Sequence, residues 1–119
     1  MTTSKPSSEI TRLIKAFGYS MQGLKWGMMQ PAFRVEVIGL AILLPCAFVF
    51  AQSAMQFVLL VGSLLLVLIV ELLNSAIETA IDRISLERHE LSGRAKDMGS
   101  AAVLLALVNA AIIWVAVLW

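Results

Sequence analysis

The 119-residue chain has one cysteine, one histidine, one tyrosine and three prolines, and only 14% of its residues are charged. A lone Cys46 excludes an intrachain disulfide and a cysteine-based metal site; inside an apolar run it reads as a small buried side chain. The seven glycines form neither G-x-x-x-x-G-K-[ST] nor G-x-G-x-x-G, so no familiar phosphate loop is present to hold a nucleotide. A net charge of +1 without a long basic tract gives no footprint for nucleic acid. The opening MTTSKPSSEI has no apolar h-region, so it does not read as a cleavable signal peptide, and the later spans are expected to direct insertion.

What the chain does have is apolar surface. At 60% apolar it carries more than a soluble domain of this length can bury, which places it in a membrane as one domain. Val37–Ala51, Ala54–Val70 and Met98–Trp119 contain no charged residue. The first two are shorter than the ~20 residues that cross the hydrocarbon, so their helices are expected to run past the apolar part. We expect a first span over 35–51, a second over 54–84 with a polar extension, a connection over 85–92 and a third span over 93–119. Pro45 in the first span is tolerable where neighbours satisfy the freed carbonyl.

Ahead of the spans, Ile10, Leu13, Ile14, Phe17, Met21, Leu24 and Met28 recur on one helical face, with Arg12, Lys15, Gln22 and Lys25 elsewhere on the wheel. This predicts a basic amphipathic helix over 8–30 in the membrane interface, capped by Ser7 or Ser8 and stopped or kinked at Pro31. Five Lys and Arg residues precede the first span, four lie between the second and third, and none lies in FAQSAMQ or at the C-terminal end. By the positive-inside rule the N-terminus and the second connection are cytoplasmic. Ala95, Gly99, Ala102, Ala106 and Ala110 make a strip for close helix contact. Three helices enclose little interior, so an oligomer is expected.

The second span ends in VELLNSAIETAID, where Glu71, Ser75, Glu78 and Asp82 fall within about 60° of one another and Asn74 stands beside them. A stripe of ionisable groups at the membrane boundary faces protein or a polar cavity, because lipid would penalise it. Glu71 and Asn74, among Leu72, Leu73 and Ile77, read as a site; Asp82 and Arg83 read as a solvated extension with local ion pairs. Beyond it, Ser92 is a candidate cap, followed by Arg94, Lys96 and Asp97. Carboxylates and cations so placed suit phosphate with a hard cation, the carboxylates binding Mg²⁺ and the cations the phosphoryl oxygens. Snorkelling cations at an interface would give the same pattern. His89 alone reads as a polar residue of the connection.

VELLNSAIETAIDRI followed by HELSGRAKDMGSAAVL, with ITRLIKAFGYSMQGL and AFRVE upstream, resembles the prokaryotic integral-membrane diacylglycerol kinases over residues 9–119. The resemblance implies an all-α membrane protein: a homotrimeric bundle with an interfacial helix and three transmembrane helices per protomer, in the bacterial inner membrane. It implies transfer of the γ-phosphate of Mg²⁺-bound ATP to diacylglycerol, giving phosphatidic acid and ADP in sites shared between protomers. Carried over by position, Glu71 is the general base, where apolar surroundings strengthen a carboxylate as a proton acceptor. Glu78 binds the metal and Lys96 the phosphate. Arg12, Tyr19, Gln30, Glu78, Glu87, Arg88, His89, Lys96 and Asp97 fall at ATP positions; Arg12, Arg34, Glu36, Glu71, Asn74, Ser100 and Trp114 fall at lipid positions. One position departs: the family's second metal-binding glutamate is Gln30 here, followed by Pro31, and a neutral amide is a poorer Mg²⁺ ligand than a carboxylate. Other readings are an undecaprenol kinase of the same architecture, a small oligomeric transporter or proton channel using Glu71, or a purely structural interaction protein.

Overall fold

The computed structural model describes residues 8–119, which fold into four helices with no strand among them. Helix α1 runs Glu9–Met28, α2 Pro31–Phe50, α3 Ala54–Ile84 and α4 Glu90–Leu118. The last three are long and apolar enough to cross a membrane. At ~1.5 Å per residue the 31 residues of α3 reach about 46 Å, against about 30 Å of hydrocarbon, so a third of this helix extends beyond a bilayer core.

Local chemistry sets the ends. Ser8 caps α1 by accepting from the Thr11 amide at 3.2 Å; Ser7, the other candidate, lies outside the described residues. Pro31 opens α2 at a position where its missing N–H costs nothing, so this helix starts earlier than the expected 35. Pro45 lies within α2, which continues to Phe50. Between α2 and α3, Ser53 accepts from the Gln56 amide at 3.1 Å while Gln56 Oε1 accepts from the Gln52 amide at 2.9 Å, a variant of the capping box. The rings of Phe48 and Phe57, 4.7 Å apart, close that corner.

The start of α4 departs from expectation. His89, not Ser92, is its cap, with Nδ1 accepting from the Leu91 amide at 3.1 Å. Ser92 is therefore already inside the helix, and the connection shortens from 85–92 to 85–89.

Helices α3 and α4 pack along Val67, Ala106 and Ala110, with Val70 against them, and Gly99 buried towards one end. Ala102, expected in this strip, is exposed, and half-buried Val103 faces inward instead. The spacing of the seam is four, three and four, because 3.6 residues per turn carries a strict repeat of four off the contact face. Trp114 donates its indole N–H to the Leu60 carbonyl at 3.2 Å and ties the far ends of the two helices together.

Helix α1 meets the rest of the chain at Gly27. A methyl there would lie 2.6 Å from Leu72 Cδ2 and 3.3 Å from the Phe33 ring, so glycine lets the helices approach without displacing the Leu72 side chain. Phe33 is 2% exposed beneath it. Further back, Ile10, Leu13, Ile14 and Phe17 are all about two-thirds exposed, so the first half of the apolar face of α1 is left uncovered by the described residues. The molecule is thin, with extents of 62 × 44 × 20 Å, roughly two helix diameters in its shortest direction. Its radius of gyration of 18.3 Å exceeds the about 13.5 Å of a compact domain of this length.

Candidate functional site

The polar face of α3 enters the protein where its apolar run ends. Glu71 is 5% exposed and Asn74 9%, while Ser75 and Glu78 are half-buried. They line a cavity of about 430 Å³ with Ser100 of α4 and Gln30 at the start of α2. Gln30 is the N-cap of α2 by backbone alone; its side chain makes no capping hydrogen bond, so the amide is left to the cavity. Three helices thus bring Gln30, Glu71, Asn74, Glu78 and Ser100 together, five positions that sequence reasoning had singled out. About 10 Å of helix rise separates Glu71 from Glu78.

Asn74 is the tightest point. Its Oδ1 is buried and has no hydrogen-bond partner among the described residues. That oxygen rests against Gly99 of α4, where a β-carbon would overlap it.

Lys96 does not line this cavity. Its ammonium donates to Asp82 Oδ1 at 2.9 Å across the α3–α4 pair, both side chains being nearly half-exposed. Asp82, expected among local ion pairs of a solvated extension, is instead the long-range partner of Lys96. The spacing of 14 residues through a turn carries no sequence signal for such a pair. Arg94 pairs with Glu90 one turn back along α4, a solvent-exposed bridge of small energetic weight. Glu87 and Arg88 lie exposed in the connection, Asp97 is exposed on α4, and Arg12 and Tyr19 are exposed on α1. None of these five lines the polar cavity.

A second, mainly apolar cavity of about 440 Å³ lies between α2, α3 and α4, lined by Glu36, Leu40, Leu43, Leu64, Val67 and Trp114 among others. Glu36 Oε2 is buried there and has no hydrogen-bond partner among the described residues. Arg34, two residues earlier, is exposed. Of the residues expected from the sequence to meet lipid, Glu71, Asn74 and Ser100 line the polar cavity, and Glu36 and Trp114 the apolar one.

Among the described residues no group of three or more His, Cys, Asp or Glu side chains is arranged to hold a metal ion. The donors around the polar cavity are two carboxylates and amide and hydroxyl oxygens. Such a set fits a hard cation that arrives with phosphate, since Mg²⁺ binds through one or two carboxylates plus phosphate oxygens rather than in a closed protein cage.

Long apolar helices and a buried carboxylate facing a polar cavity define a small helical membrane protein with a polar site at one end of its bundle. The sequence pattern of the family described as prokaryotic diacylglycerol kinase matches residues 18–118. Similar proteins include the diacylglycerol kinase of Escherichia coli, 52% identical over 110 residues covering 92% of this chain and 90% of the relative. The diacylglycerol kinase of Haemophilus influenzae is 48% identical over 111 residues, 92% of this chain and 94% of its own. That of Pseudomonas aeruginosa is 44% identical over 115 residues, 96% and 94% of the two chains. The chain belongs to the prokaryotic diacylglycerol kinase family, and with it to the lipid kinases.

Proposed function

We propose that this chain transfers the γ-phosphate of ATP to the hydroxyl of diacylglycerol at the cytoplasmic face of the bacterial inner membrane, with ADP and phosphatidic acid as products. The observation that carries this reading is the polar cavity, where Glu71 lies buried at the end of an apolar helix in the company of Asn74, Glu78, Gln30 and Ser100. Ionisable groups in such positions are costly to place and mark function.

Glu71 sits where a lipid hydroxyl can arrive from the membrane, and takes its proton as the new O–P bond forms and the bond to the ADP oxygen breaks. Glu78, nearer the water, would hold Mg²⁺ together with the Gln30 amide oxygen, and the ion would supply charge neutralisation for the phosphates. Lys96 swings from Asp82 to the phosphoryl oxygens. Arg12, Tyr19, Glu87, Arg88, His89 and Asp97 hold the nucleotide from α1 and the α3–α4 end, with His89 offering Nε2 because Nδ1 is spent on its helix. The apolar cavity beside Glu36 and Trp114 receives the lipid beyond its headgroup, with Arg34 at the boundary.

Three copies form the working unit. Support comes from the 20 Å thickness of the chain and from the many large apolar side chains left exposed on helices long enough to span. Arg83, Arg88, Arg94 and Lys96 gather at the end of the bundle that carries the polar site, which favours a cytoplasmic site. The exposed apolar face of α1 and its lysines suit the interface at that side.

The test is ATP-dependent phosphorylation of diacylglycerol in mixed micelles, with undecaprenol as a second acceptor, run beside Glu71→Gln and Glu78→Gln. The parent is expected to make phosphatidic acid, and Glu71→Gln to lose at least about 100-fold in kcat, the usual scale of a general base. An assembled parent that phosphorylates neither lipid would sink the proposal; preference for undecaprenol would relocate it to that acceptor.

A further inference from the structure

We infer that Gly99 is a positioning residue of the polar site: the bare backbone it gives α4 seats the Asn74 amide and leaves its donor end between Glu71 and Glu78. The inference deepens the kinase reading and rests on it for its catalytic part.

Asn74 is 9% exposed, and its Oδ1 has neither solvent nor a hydrogen-bond partner among the described residues. A methyl at position 99 would overlap that oxygen and lie 3.2 Å from Cγ, yet only 3.8 Å from Cβ, an ordinary contact. The obstruction concerns the amide group alone. Oxygen is the end that belongs against α4, because Gly99 presents C–H hydrogens that would repel an NH₂ group and attract a carbonyl. A planar amide so seated leaves its nitrogen, with two donor hydrogens, as the polar end facing the cavity that Asn74 lines. Asn74 follows Glu71 by three residues and precedes Glu78 by four, one helical turn on either side on the same face. A donor there serves carboxylate or phosphoryl oxygens, and its orientation is set by a residue that touches neither.

Gly99 is not one of several equivalent small residues. A methyl at Gly93, in the first turn of the same helix, would meet nothing within 4 Å. Gly93→Ala is therefore the matched control.

The experiment is a double-mutant cycle with Gly99→Ala, Asn74→Ala and the pair, each measured for kcat per assembled protein, KM for ATP and diacylglycerol, and thermal midpoint. Gly99→Ala is expected to lower kcat by tenfold or more with both KM values within twofold, and Gly93→Ala to leave all three unchanged. In the Asn74→Ala background the same Gly99→Ala change is expected to be silent in kcat and no longer to lower the midpoint, since only Cβ remains to meet the methyl and alanine is the better helix former. Multiplicative effects in the double variant, or an unchanged kcat per assembled Gly99→Ala protein, would overturn the inference. Should Gly99→Ala fail to assemble, recovery of assembly in the double variant supports the contact, and failure of both overturns it. An inactive parent would remove the kinase reading, while the midpoint cycle would still decide the seating of Asn74.

Discussion

Replacing Trp114 by Phe removes one hydrogen bond between the third and fourth helices and keeps an apolar ring in place, so its cost can be worked out. The bond lost is the indole N–H to the Leu60 carbonyl at 3.2 Å. That carbonyl also accepts from the Ser63 hydroxyl at 2.8 Å, so the variant does not strand a buried acceptor. The loss is then a net hydrogen bond, about 0.5–1.5 kcal/mol, rather than a desolvation penalty. Pairs between membrane helices average about 0.6 kcal/mol, at the lower end of that range. Trimming indole to phenyl at a half-buried site gives up a few dispersion contacts, about 0.5 kcal/mol in all, because no water is displaced between helices in lipid. The expected destabilisation is about 1–2 kcal/mol, read from reversible denaturation in mixed micelles. KM for diacylglycerol should stay within twofold, because the ring still walls the apolar cavity beside Glu36. A loss above about 4 kcal/mol would show that the Leu60 carbonyl depends on Trp114, and no loss at all would show that the two helices are held elsewhere; either result refutes the reasoning.

Gln30→Glu is expected to lower the Mg²⁺ concentration for half-maximal activity several-fold, as a carboxylate joins Glu78 on the cavity; an unchanged Mg²⁺ dependence would show that residue 30 is not a ligand. Asp82→Asn should cost no more than about 1 kcal/mol, because its partner Lys96 is nearly half-exposed, whereas Lys96→Met should raise KM for ATP; a reversed pattern in melting and kinetics would make the pair a structural clamp. Gly27→Ala should destabilise by about 1–3 kcal/mol through overpacking against Leu72 and the Phe33 ring, measured by denaturation alongside protease accessibility of the first helix; a neutral result would mean that Leu72 yields freely.

Period and polarity along the chain determined a good deal. Uncharged runs set the number of long apolar helices, and a three-and-four repeat from Ile10 to Met28 set the amphipathic first helix. The stripe Glu71, Asn74, Ser75 and Glu78 was legible because residues three and four apart share a face of any helix. Competition among local caps was not legible: Ser92 and His89 both offer acceptors to the start of the fourth helix, and backbone geometry selected His89. The strip of small residues was read as passing through Ala102, whereas contact with the third helix drew in Val103 and left Ala102 outside. Tertiary structure alone could decide which distant groups meet. Gln30 reaches Glu71 and Glu78 because Pro31 starts a helix there and Gly27 lets the first helix close on Leu72. Lys96 meets Asp82, and Gly99 meets Asn74, because two helices joined by a five-residue connection pack at one particular register. A sequence encodes the faces of its helices through their period, but the register between two helices comes from the fit of small residues against large ones, which exists only once both are in place.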